Sequence, residues 1–333
     1  MGDMVGMRGA NGSRGVAARN FTQMKSFGVF HELRKNKYLF LMLLPAIAYF
    51  IIFDYIPMAG IVVAFKSFRY DRGMFGSPWN GFENFKFFFN SGKVLSLTML
   101  TIGYNVAFIV TGIFFSVTLA LVLSELKNKI FKKVTHTIIF LPYFISWVVV
   151  AFIAYNLFST KFGVLNTLLK EWGKTPIIFY SSPSIWRILI VAFSNWKGIG
   201  YGSIIYLAVL TGISQEYYEA AKVDGVSLTQ RIRYISLPFL KPTMIILMLM
   251  SLGGIFRGGG DMFYQLIGTN TQLTPSVDVI DSYILRTLLA SSNQGVSYGM
   301  TAAVGLFQQV AGFILILAAN GIARRTSRES ALF

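Results

Sequence analysis

Four charged side chains stand inside long apolar runs of this sequence, Asp54, Lys197, Arg257 and Asp261, and the last three are the clearest candidates for function. A charge carried into the hydrocarbon core costs roughly 2.5–3.5 kcal/mol on insertion scales, so such groups face a bundle interior or water. Arg257 and Asp261 are four residues apart, which puts them on one face of a helix and lets them pair. The glycines at 258–260 between them loosen that helix, so the pair reads either as a moving gate or as a salt bridge that packs the bundle. Amides and hydroxyls recur beside aromatic rings at Tyr104–Asn105, Trp147, Tyr155–Asn156, Asn195–Trp196 and Tyr264–Gln265. A polyhydroxylated passenger such as a sugar needs that mixture, although rings at helical spacing more often serve packing. Asp54, beside Tyr55, fits a place near the outer interface. With two histidines (His31 and His136) and no cysteine, no metal site is expected. No clustered acid–base groups mark an enzyme.

A second constellation is mechanical rather than chemical. Glu219-Ala220-Ala221-Lys222-Val223-Asp224-Gly225 is followed, after nine residues, by Ile235-Ser236-Leu237-Pro238, with Pro242 beyond. Alanine and glutamate favour helix, and Gly225 is a natural stop where φ turns positive. Ser227 with Gln230 three residues on forms a capping box that starts a second short helix, which Pro238 is expected to close. Two adjacent alanines allow close approach to another protein, and Glu219 and Asp224 offer charge to its Lys or Arg. The segment is built to dock a soluble partner and pass on its motion.

The elements that must position these residues follow from composition. Of 333 residues, 54% are hydrophobic and only 13% charged, about half the charge of a soluble domain. Six runs are long enough to cross a bilayer: 39–65, 97–123, 137–158, 188–213, 243–268 and 298–322. None alternates as a barrel strand would, so the expected fold is an all-α membrane bundle of six spans within 38–325. Residues 1–37 read as a basic cytoplasmic tail, 326–333 as a second tail, and 214–242 as a cytoplasmic connection. Lys and Arg number 18 in the connections on the side of the N-terminus and 10 on the other, which places both termini inside. The net charge of +16 is therefore topological, not a nucleic-acid footprint. Trp79 and Trp186, in the outer connections, read as interfacial anchors. An ion-driven secondary transporter is the alternative, but no internal repeat supports it.

The spacing E-A-A, three residues, G, nine residues, I-x-L-P resembles the EAA loop of binding-protein-dependent ABC importer permeases, with Asp224 also in place. The resemblance extends over about residues 35–333. Leu44-Pro45 with Phe53-Asp54-Tyr55-Ile56-Pro57-Met58 is similar to the first span of the polysaccharide-type permeases of the carbohydrate-uptake group. Leu141-Pro142-Tyr143-Phe144-Ile145-Ser146-Trp147 is similar to their third, and Trp196 to Ser203 to their fourth. Val277 to Tyr283 looks like the segment before their sixth. Arg257 to Asp261 departs from the group in its glycine and charge. The resemblance implies a type I importer permease in a bacterial cytoplasmic membrane. Its partners would be a second homologous permease, an ATPase dimer, an extracytoplasmic solute-binding protein and an oligosaccharide cargo. Glu219, Ala220, Ala221, Asp224, Gly225, Leu237 and Pro238 would couple to the ATPases. ATP and magnesium would be bound by those partners, because this chain has no G-x-x-x-x-G-K-[ST] phosphate loop.

Overall fold

The computed structural model describes residues 35–90, 92–290 and 296–326. The tails expected over 1–37 and 326–333, and His31 with them, fall outside these residues except at 35–37 and 326. The chain divides into two compact units, 1–59 and 60–333.

In the first unit, helix α1 (Lys37–Phe50) continues through a π turn (Ile51–Tyr55) into Ile56–Met58. None of its residues is buried, and its large apolar side chains point outward all round. A helix apolar on every face needs lipid or a partner around it. The π turn has a local cause. Pro57 has no N–H to give the carbonyl four residues back, and the widened turn sends the Ile56 N–H to the Ile51 carbonyl instead.

The second unit opens with a 3-10 stretch that ends at Phe65 and is fastened by Asn84. The Asn84 amide donates to the Ala64 and Lys66 carbonyls at 2.9 and 3.0 Å from α2 (Glu83–Asn90). Helix α3 (Lys93–Glu125) is charge-free between its ends and long enough to cross a bilayer with turns to spare. Asn128 caps α4 (Lys129–Phe140), its side chain accepting from the Ile130 and Phe131 N–H groups. A 3-10 turn (Leu141–Phe144) follows, and α5 (Trp147–Phe158) leaves at 98° with Ser146 as its cap. The third span, expected unbroken over 137–158, is thus two helices. Pro142 and the Ser146 cap end one and start the other.

After α6 (Val164–Glu171), helix α7 (Pro183–Thr211) begins five residues earlier than expected, with proline in its first turn. That early start carries Trp186 into the core beside Phe158 and Tyr180. It is fully buried, not an interfacial anchor. Trp79 is exposed, as an anchor would be. Two glycines set how α7 packs. A Cβ on Gly200 would meet the Ile139 carbonyl at 2.4 Å, and one on Gly202 would meet the Ser116 hydroxyl at 2.5 Å. Small residues at such crossings let helix backbones approach in a membrane.

Next come α8 (Gln215–Val223), α9 (Leu228–Arg231), a second π turn (Ile232–Ser236) and α10 (Leu237–Gly253). The fifth span, expected through 268, stops at Gly253. Helix resumes only at α11 (Gly260–Ile267), with Gly259 at φ +65°. Helices α12 (Ile280–Ala290) and α13 (Val296–Thr326) complete the unit. Among the described residues, five helices are long and apolar enough to span a membrane, or six when α4 and α5 with their bend count as one span. Among the described residues no strand forms, only an isolated bridge between Lys66 and Trp79.

Candidate functional site

The docking segment is built as its local sequence directs, up to Pro238. Ser214 caps α8 at Glu216. At its other end the Val226 N–H returns to the Ala221 carbonyl (2.9 Å) and the Gly225 N–H to that of Lys222 (3.2 Å). This is the paired closure of a Schellman stop, which needs the left-handed φ of +69° at Gly225. The Ser227–Gln230 capping box is present in both directions. Pro238 does not close this helix, contrary to expectation. The run continues from Leu228 to Gly253 because the π turn sends the Leu237 N–H to the Ile232 carbonyl, so proline's missing donor leaves no gap. Both π turns among the described residues end two residues before a proline.

The segment is tied to the bundle from its inner side. Arg231 forms an ion pair with Glu125 at the end of α3, and its guanidinium lies 5.8 Å from the Tyr218 ring. The Tyr218 hydroxyl meets that of Ser236 at 3.3 Å. Ala221 is buried, so of the two alanines only Ala220 faces outward. Glu219, Val223, Asp224 and Leu228 are exposed, Val223 by 88%. Glu125 and Tyr218, which hold this element in place, carry no sequence signature of that role.

The intramembrane charges are arranged differently from expectation. Arg257 and Asp261 do not pair, because residues 254–259 are not helical and the four-residue spacing sets no common face. Arg257 donates to the Gln309 amide oxygen (3.0 Å), and Asp261 accepts from Gln265 (3.2 Å). Lys197 donates to the Tyr143 carbonyl at 2.6 Å and lies over the Tyr143 and Trp147 rings. Other candidates are occupied within the bundle. Tyr104 is buried against Phe108 and Phe263, and Asn195 joins α7 to Thr111 of α3 at 2.8 Å. Asn105 and Asn156 donate back to the Thr101 and Phe152 carbonyls on their own helices. Tyr155 and Trp196 remain exposed, and Tyr264 is half-buried.

The break at 254–259 is held by residues that sequence reasoning left unassigned. Asp281 accepts the Gly258 N–H at 2.7 Å. Gln308 of α13 donates both to Asp281 and to the Phe256 carbonyl. Nearby, Asp278 is buried and pairs with Arg286 and Ser282, and burial lowers the Arg286 guanidinium from its ordinary value. The Val277–Tyr283 stretch noted in the sequence is therefore a structural clasp.

Long apolar helices, two of them interrupted, with an exposed capped hairpin leading into one span, define a multi-pass helical membrane protein of the transport-subunit kind. The chain belongs to the family described as binding-protein-dependent transport system inner membrane component, whose model matches residues 112–328. It is 35% identical over 300 residues to Protein LplB of Bacillus subtilis (strain 168), covering 89% of this chain and 92% of that one. To the polygalacturonan/rhamnogalacturonan transport system permease protein YteP of the same organism it is 33% identical, over 94% and 96% of the two chains. The fold matches a chain of the bacterial alginate ABC transporter crystallised with alginate pentasaccharide-bound periplasmic protein. The TM-score is 0.78, identity 32% and coverage 90% and 98%. Subunits of this family are permeases of ABC transporters and not enzymes, ATP hydrolysis lying in separate subunits. Membership displaces the ion-driven alternative.

Proposed function

We propose that this chain is one of two homologous permeases forming the path of an oligosaccharide importer, with both termini cytoplasmic. A periplasmic binding protein delivers the cargo, and an ATPase dimer, holding ATP and magnesium, drives the cycle. The segment from Glu219 to Pro238 couples the two. One observation carries this reading. The hairpin of α8 and α9 satisfies its own end groups through caps and a Schellman stop, yet leaves Glu219, Ala220, Val223, Asp224 and Leu228 uncovered. An element so fully organised with an open face is suited to a partner. Because α9 runs through the π turn into α10 without a loop, displacement of the hairpin is passed to the span as a rigid-body movement. Names of the relatives support the cargo class: YteP is named for polygalacturonan, and the alginate complex holds a pentasaccharide-bound periplasmic protein. Lys127 just before α4 and Lys129, Lys132 and Lys133 in its first turns support a cytoplasmic location for that end.

The test is co-purification of the ATPase together with ATP-dependent uptake in lipid vesicles. Gly225→Pro demands φ near −65° where the chain has +69°, and Glu219→Lys reverses an exposed charge. Each is expected to lower bound ATPase and uptake at least about tenfold while membrane insertion stays intact. Normal uptake by both variants would remove the coupling assignment.

A further inference from the structure

Two cations stand at interruptions of the spans with only neutral partners. Lys197 sits midway along α7, fourteen residues from either end, about 21 Å at 1.5 Å per residue. Its ammonium donates to the Tyr143 carbonyl at 2.6 Å and lies 5.3 and 5.5 Å from the Tyr143 and Trp147 ring centres. Tyr143 in turn stacks on Tyr201, with centroids 4.5 Å apart and planes at 8°. The break at Ile145–Ser146 makes this possible. A continuous helix would spend the Tyr143 carbonyl on the N–H four residues ahead, whereas here it faces Lys197. Arg257 stands at the other interruption, donating to Gln309 beside a cavity of about 200 Å³. Carbonyl, amide and ring faces occupy the N–H groups without cancelling the charge. Among the described residues no carboxylate pairs with either cation.

An uncancelled cation held at mid-span is costly, and an anion in the pathway relieves that cost. Flat rings flanking the cation suit the apolar C–H face of a pyranose. We infer that the platform of Lys197, Tyr143, Trp147 and Tyr201 holds a carboxylate-bearing sugar residue of the cargo. The inference rests on the oligosaccharide-importer reading and names its substrate class: acidic, uronate-type oligomers. Tyr143 and Tyr201 become cargo contacts, and Lys197 the residue that selects for charge.

The experiment uses the complete permease–ATPase complex in lipid without its binding protein, so that selection by that protein does not enter. Binding of trigalacturonate, and of the same trimer with its carboxyls reduced to alcohols, is read from tryptophan fluorescence and by displacement of labelled trimer. Wild type is expected to favour the acid by about ten- to a hundredfold, the worth of a charge-assisted hydrogen bond. Lys197→Met should abolish the preference, and Lys197→Arg should retain most of it. Equal affinity for the two trimers in wild type, or an undiminished preference in Lys197→Met, would overturn the assignment and leave the importer reading standing. Absence of a co-purifying ATPase would instead overturn the importer reading, and this inference with it.

Discussion

Gln308 carries more than its place in an apolar helix suggests. It is buried and donates to both the Phe256 carbonyl and Asp281, closing the polar groups that the break at 254–259 frees. Gln308→Leu leaves both acceptors short of a donor, which costs about 1–3 kcal/mol. A lower melting temperature of the purified complex is the expected result, and an unchanged one would show that water replaces the amide. Lys197 and Arg257 were legible as functional candidates because charge in a span is conspicuous. Gln308 and Asp281 were not, because their partners lie 52 and 23 residues away and no local pattern links them. The pairing of Arg257 with Asp261 failed for a related reason. It assumed a continuous helix across three glycines, and the chain is not helical there.

Among elements, the hairpin of α8 and α9 was the most legible, since a capping box and a glycine stop depend on bonds within six residues. The π turn after it was not. A proline ordinarily marks a helix end, and only a widened turn upstream lets the helix run on. This suggests a test of how the hairpin is aimed. Pro238→Ala supplies an N–H for the Tyr234 carbonyl and favours a regular α turn in place of the bulge. Removing one residue's worth of offset rotates α9 by about 100° relative to α10. The expected outcome is a complex that still inserts and still hydrolyses ATP but imports at no more than about a tenth of the normal rate. Uptake and hydrolysis that remain coupled would show that the π turn does not set the hairpin's direction.

In the whole of the second unit, a clasp of scattered groups secures residues 268–286. Arg286 pairs with Asp278 and also donates to the Gly268 carbonyl and the Thr274 hydroxyl, both at 3.2 Å. Asn270 reaches the Tyr180 carbonyl at 2.9 Å, Arg187 the Ser276 carbonyl at 3.2 Å, and the Ile280 N–H the Thr101 hydroxyl at 3.0 Å. Arg286→Met strands a buried carboxylate, a loss of about 3–5 kcal/mol. Low yield and early thermal unfolding of the complex are expected. The double variant with Asp278→Asn should recover part of the loss, because no uncompensated charge remains. Equal instability of single and double variants would assign the role of Arg286 to its neutral contacts alone.

By itself, the sequence determined that this chain is helical and membrane-embedded, where its apolar runs lie, and how the α8–α9 hairpin is capped. It determined these because hydropathy over twenty residues and end-capping over six are short-range properties of the chain. Only the tertiary structure decided that the third and fifth spans are interrupted, that Trp186 and Tyr104 are core, and that the α9 helix runs on past Pro238. It also decided which polar groups meet across the bundle. Each of these depends on a donor finding an acceptor, or a glycine admitting a backbone, far away along the chain. Inside a bilayer every freed backbone group must find such a partner within the protein, so the interruptions and their distant partners are settled together or not at all.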